Sequence, residues 1–219
     1  PASRINKDEP ASAVIDRLVS ARLKQAGLTP SKPADRYTLL RRMSYDITGL
    51  QPTYEAMRSF EVGQSPSALD IQMKTLLASP AFGEHFARKW LDLARYADTK
   101  GYVYTEERRY AFAYTYRDWV IDAFNSDLPY NDFLRLQLAA DRYPATPDKD
   151  LAALGFLTVG RRFVNNIPDV IDDRIDVIMR TTQGLTVACA RCHDHKFDPI
   201  PDRKSTRLNS SHLVISYAV

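Results

Sequence analysis

The chain carries two cysteines and four histidines, and four of these six side chains fall within seven residues. Cys189, Cys192, His193 and His195 sit in the stretch "LTVACARCHDHKFDPIP", Leu185 to Pro201. Cys189-Ala190-Arg191-Cys192-His193 is a C-x-x-C-H sequence, the attachment pattern of c-type haem. Two thiols three positions apart on a backbone turn can each form a thioether to one vinyl group of the same porphyrin. The histidine after the second thiol then offers its imidazole nitrogen to the iron. In this reading Cys189 and Cys192 tether haem c, and His193 is the proximal iron ligand.

The same residues admit other chemistry. Cys189, Cys192 and His195 are ligands suited to zinc or iron without haem, with Asp198, His85 or His193 as a fourth. A closed structural metal site normally has a second ligand pair elsewhere, and here only His85 lies outside the motif. A two-thiol redox pair and a free-thiol loop with hydrogen-bonded histidines complete the alternatives. A second axial ligand for a haem would come from His85, Met43, Met57, Met73 or Met179. The methionines fall on apolar helical stripes, where packing is their expected role. His85 falls opposite the stripe of Phe82, Phe86 and Trp90 and is expected at the surface. Arg191, between the cysteines, either faces a haem propionate or is solvated.

Weaker constellations accompany the motif. Asp92, Arg95 and Asp98 are spaced to share a helix face, as an ion-pair network or a polar pocket. Asp169, Asp172, Asp173 and Asp176 lie near a helix start, where acids suit the positive end of the helix dipole. The aromatic row Tyr110, Phe112, Tyr114, Tyr116 and Trp119 is expected in the core, with a haem-edge wall as the sharper alternative.

These residues must be positioned by helices, because apolar residues recur at helical spacing and no segment sustains β alternation. Val14, Ile15, Leu18, Val19 and Leu23 form one stripe, with Gly27 as its stop. Leu39, Leu40, Met43 and Ile47 form a second, ended by Gly49. Pro52-Thr53 is expected to cap a third helix. Leu69, Met73, Leu76 and Leu77 mark a fourth. Phe82, Phe86, Trp90, Leu93 and Ala97 mark a longer one. Phe112, Tyr116, Trp119, Val120 and Ala123 align on another. Two shorter helical stretches follow around a loop at 142–149, and "DVIDDRIDVIMRTTQGLTVACARC" reads as a C-terminal helix leading into the C-x-x-C-H loop. The expected fold is mainly α, a single domain of eight or nine helices over residues 10–201. Residues 1–9 read as a disordered N-terminal remnant.

Composition is that of an ordinary globular protein, 44% hydrophobic and 26% charged. The segment 202–219 stands apart: "DRKSTRLNSSH" and "ISYAV" resemble the conceptual translation of a sequencing-library adapter, and the segment is expected to be non-native. Setting it aside removes Arg203, Lys204, Arg207 and Asp202, so the net charge of +3 falls to +1. No basic footprint for nucleic acid remains. There is no run of 18 apolar residues, so no membrane span is expected.

Several blocks together resemble the second planctomycete-specific cytochrome family, also termed domain of unknown function 1549. They are "ARLKQAGLTPSKPADRYTLLRRMSYDITGLQPT", "LLASPAFGEHFARKWLDLARYADTKGY", "YRDWVIDAFNSDLPYNDFLRLQLAAD", "LAALGFLTVG" and "GLTVACARCHDHKFDPIP". The resemblance implies a fragment of a longer, exported or periplasmic protein, with a redox partner or cytochrome module elsewhere in the full-length chain. The expectation that follows is haem-based electron transfer or a coupled redox step. Its rivals are a hydrolytic or structural zinc or iron domain, and an extracellular polymer-binding scaffold.

Overall fold

The computed structural model describes residues 9–63, 65, 67–97, 111–143, 146–160 and 166–201. The tail from 202, the N-terminal residues 1–8, Asp98 and Tyr110 lie outside them. Among the described residues there are nine α-helices and no strand, as the helical periodicity predicts. They are α1 (Ala11–Gln25), α2 (Arg36–Thr48), α3 (Tyr54–Val62), α4 (Ala68–Leu77), α5 (Pro80–Leu93), α6 (Ala113–Asn125), α7 (Tyr130–Ala139), α8 (Gly155–Thr158) and α9 (Ile167–Gln183). Short 3₁₀ turns span Ala140–Arg142, Asp148–Leu154 and Ala188–Arg191.

Local chemistry sets several of these boundaries. The Asp35 carboxylate accepts the Thr38 N–H at 2.8 Å and starts α2. That bond and the Thr38 hydroxyl draw its carboxyl below the usual range. Thr53 caps α3 by accepting the Ala56 N–H at 3.1 Å, as the Pro52-Thr53 signal predicts. Ser79 precedes Pro80 at the first position of α5. Gly49 ends α2 in the left-handed conformation, φ 70°.

The core lies where α5, α6, α7, α8 and α9 meet. Ala87, Trp90, Tyr116, Trp119, Val120, Phe133, Phe156 and Val177 form its centre. Trp119 stacks on Phe133 (centroids 5.5 Å apart, 11° between planes), and Trp90 meets the same ring edge-on at 4.8 Å. A polar triad lies among them. The Trp90 indole N–H donates to Gln137 Oε1 at 2.8 Å and to the Tyr116 hydroxyl at 3.1 Å. Tyr116 donates to Gln137 Oε1 at 2.7 Å, and Gln137 Nε2 donates to the Phe133 carbonyl at 3.1 Å. Burial drives the Tyr116 phenol well above its usual range.

Several stripes are rotated or uncovered relative to the sequence expectation. On α5 the buried line is Gly83, Ala87 and Trp90, continued by Ala94 just beyond the helix, while Leu93 is exposed. Small residues let α6 approach closely on that line, so volume rather than hydropathy chose the face. Phe112 and Tyr114 of the aromatic row are exposed, whereas Tyr116 and Trp119 are buried as expected. Phe112 precedes the first turn of α6, so it cannot continue the helical face. On α1 only Val14 is buried, and Ile15 and Val19 are 59% and 52% exposed. No residue of α4 is buried; Leu69, Met73 and Leu77 are exposed. These helices lie at the margin of the bundle, so amphipathicity alone did not bury them.

Two outcomes follow from the core. Gly155→Ala places a Cβ 2.4 Å from Tyr116 Cβ, and thermal melts are expected to show a loss of about 1–3 kcal/mol. Because burial raises the Tyr116 phenol above the ordinary 10.0, its contribution is intact below that pH and is lost as pH rises beyond it through the higher folded-state value. Tyr116→Phe is therefore expected to cost about 1–2 kcal/mol at neutral pH but to flatten the alkaline decline in urea-measured stability.

Candidate functional site

The C-x-x-C-H sequence follows the end of α9. Gly184 takes the left-handed conformation, φ 69°, that stops the helix. Its N–H bonds to the Arg180 carbonyl at 3.2 Å, and the Leu185 N–H bonds to Met179 at 3.3 Å. The chain then enters the 3₁₀ turn Ala188–Arg191, closed by Ala190 N–H to Val187 O at 3.0 Å. Cys192 N–H bonds to Cys189 O at 3.3 Å, so the two cysteines share one turn. Ala190 points inward and is buried, while Cys189 and Cys192 are free thiols exposed to solvent. The helix thus leads into a separate loop, as expected, and the turn presents both thiols outward.

The two histidines differ chemically. The His193 Nδ1 lies 2.7 Å from the Asp194 carbonyl oxygen. A carbonyl only accepts, so Nδ1 carries the proton and Nε2 keeps its lone pair. His195 is the reverse. Its Nδ1 accepts the Asp198 N–H at 2.9 Å and the Phe197 N–H at 3.3 Å. The neutral ring therefore carries its proton on Nε2. The Asp198 carboxylate also approaches His195 Nδ1 to 3.3 Å; in this tautomer both are acceptors, and the two backbone N–H bonds set the state of the ring. His195 N–H bonds to Ile200 O at 2.8 Å, which closes the loop. The His195 side chain is 8% exposed and holds the loop shut. His193 is exposed, and among the described residues its Nε2 has no hydrogen-bond partner.

Arg191 is exposed to solvent and held by ion pairs. Its guanidinium pairs with Asp169 and, through Nε at 2.7 Å, with Asp172, both on α9. The acidic row continues along that helix: Asp173 pairs with Arg95, and Asp176 with Arg180. These acids do more than complement the helix dipole: they make a face that grips the turn and the end of α5. Asp92 is exposed and has no ion pair with Arg95. Arg95 itself holds φ at 60°, an uncommon conformation for arginine. Beside Asp173, Arg174 is buried; desolvation lowers its pKa and the Asp173 charge opposes this.

Among the described residues no group of three or more His, Cys, Asp and Glu side chains is gathered as for a metal ion. The set Cys189, Cys192, His195 and Asp198 is therefore not assembled in this conformation. His85 is half-buried rather than at the surface, edge-on to Phe86 with centroids 5.4 Å apart. Met43, Met57 and Met179 are half-buried, as packing residues are.

The model of one protein family, described as "PSCyt2: Protein of unknown function (DUF1549)", matches residues 14–212. The chain belongs to that family. The match runs on into the segment 202–219 as far as residue 212. No curated protein and no solved structure matches the chain. In this PSCyt2 domain the residues that sequence reasoning missed are the partners of Arg191. Their signal was present: aspartates at 169, 172, 173 and 176 repeat at i, i+3, i+4 and i+7, which defines a face that a cap does not need.

Arg191 is 43% exposed, so its pairs are worth little globally and much locally. Arg191→Ala, or Asp169→Asn with Asp172→Asn, is expected to speed amide exchange at Ala190 and Cys192 by about three- to tenfold. Global stability should move by less than about 1 kcal/mol. Combining all three substitutions should add no further exchange; simple addition would show that these pairs do not hold the turn.

Proposed function

We propose that the turn Cys189–His193 is a haem c attachment site, and that this domain serves electron transfer or a coupled redox step in a longer exported protein. The observation that carries the reading is the 2.7 Å contact between His193 Nδ1 and the Asp194 carbonyl oxygen. The Nδ1–H is spent on that carbonyl, which leaves Nε2 as the lone pair an iron takes. That nitrogen lies one residue beyond a pair of exposed, reduced thiols on a single turn. Haem, when bound, supplies a one-electron couple at its iron. The chain's own residues do the rest. Cys189 and Cys192 offer the two sulfurs, Ala190 seats the turn, and Arg191 fixes its direction against α9.

The non-haem alternative draws less support. For His195 to bind a metal through Nδ1 it must release two backbone N–H groups, and its other nitrogen carries the proton. Redox traffic would pass to a partner or to a cytochrome module elsewhere in the full-length protein. Among the described residues no helix is long and apolar enough to cross a membrane.

The test is expression of the chain with an export signal and a cytochrome c maturation system, followed by a pyridine haemochrome spectrum of the denatured protein. A c-type spectrum is expected. Cys189→Ala with Cys192→Ala should abolish it, while His193→Ala should keep some tethered porphyrin but change the native Soret band. Colourless protein containing one zinc per chain would contradict the haem reading.

A further inference from the structure

A groove of about 470 Å³ lies between α5 and the corner where α6 passes into α7. Its walls are aromatic: Phe82 and Phe86 from α5, Phe124 from α6, Phe133 from α7, and the Trp90 indole. The rings are tilted to one another rather than closed flat. Phe82 and Phe86 lie 4.8 Å apart at 43°, Phe86 and Phe124 6.2 Å at 39°, and Phe124 and Phe133 5.6 Å at 54°. Each ring carries negative potential on its face and positive potential at its edge, so the tilted rings offer a cation their faces. The exposed Lys89 side chain already sets its ammonium 4.8 Å from the Phe86 centroid, which takes up that ring.

Among the described residues, Asp127 is the one charged residue lining the groove. Its carboxylate is exposed, and the residue holds φ at 50°, braced by its N–H to the Phe124 carbonyl at 3.2 Å. Aromatic walls with a single carboxylate select among cations. A hydrated metal ion needs several oxygen ligands, and one carboxylate does not replace its water shell. A primary ammonium needs hydrogen-bond acceptors that an apolar wall lacks. A quaternary ammonium needs neither, because its charge is spread over methyl groups that shed water cheaply and pack on rings. The volume suits a small molecule.

We propose that this groove binds a free quaternary ammonium compound, with its cation against Phe124 and the Asp127 carboxylate supplying the counter-charge. This site is independent of the C-x-x-C-H motif and of any haem.

The experiment is saturation-transfer NMR on the whole chain at constant ionic strength, with choline as the probe. The control is 3,3-dimethylbutan-1-ol, a neutral molecule of nearly the same shape. Choline is expected to bind at least about tenfold more tightly than the alcohol. Asp127→Asn, which tolerates a positive φ, should weaken choline about threefold and leave the alcohol unchanged. Phe124→Leu keeps apolar volume but removes a ring, and should erase the preference for choline. Helical circular dichroism of each variant checks that the fold is intact. Equal affinity for choline and the alcohol would overturn the proposal, as would no saturation transfer to choline at concentrations on the order of 10 mM. Attachment to phosphatidylcholine vesicles without binding of free choline would also overturn it.

Discussion

The indole N–H of Trp90 is enclosed by the packed centre of the bundle and is shared between Gln137 Oε1 and the Tyr116 hydroxyl. An orphaned donor there would cost about 1–3 kcal/mol, so the side chains that satisfy it are tied to one geometry. Trp90 belongs to α5, Tyr116 to α6 and Gln137 to α7, and their mutual hydrogen bonds fix the relative register of three helices. Phe156 of α8 stacks on the Trp90 ring, with centroids 5.7 Å apart, and Gly155 leaves room for Tyr116. Apolar packing supplies most of the driving force, but this polar triad is what makes one arrangement of similar aromatic faces distinct from its neighbours.

From that centre, order is passed to the motif through charge. Just past α5, Arg95 crosses to Asp173 on α9, and these two side chains are only 21% and 19% exposed. The same helix then grips Arg191 through Asp169 and Asp172, with the arginine much more open to water. Ion pairs weaken as their environment approaches bulk dielectric, so the turn is held firmly enough to have a direction and loosely enough to be reached. That is what a site open to covalent attachment requires: a braced backbone and accessible thiols. The sorting of the histidines follows from the same loop. His195 is consumed in closing it by accepting two backbone N–H groups, and His193 is left outward, its Nε2 without a partner among the described residues.

Much of this was legible in the residues. Helical class followed from periodicity, and the stops at Gly49 and the cap at Thr53 followed from turn and cap chemistry. The C-x-x-C-H motif was plain, and its attachment to the end of a helix was foreseen. What was not legible depends on tertiary partners. The stripes on α1 and α4 look like those of buried helices, yet nothing among the described residues covers Ile15, Val19 or Leu69. On α5 the buried face follows Gly83 and Ala87 rather than Leu93, because close helix approach outweighs the hydropathy of single residues. Gln137 reads as an interruption of an apolar run and is instead the acceptor the core requires. Arg191 had no visible partner in sequence, since Asp169 and Asp172 come close only when the chain reverses after Gly184.

The account of the site turns on the claim that backbone hydrogen bonds give the neighbouring histidines opposite tautomers and leave only one of them ready for iron. Nitrogen-15 NMR of the imidazole rings, at a pH where both are neutral, measures this without any haem. His193 should show a protonated Nδ1 and an unprotonated Nε2, and His195 the reverse. If both rings carry the proton on Nε2, or if each averages between tautomers, the loop does not sort them. The case for His193 as the ligand would then have no structural basis.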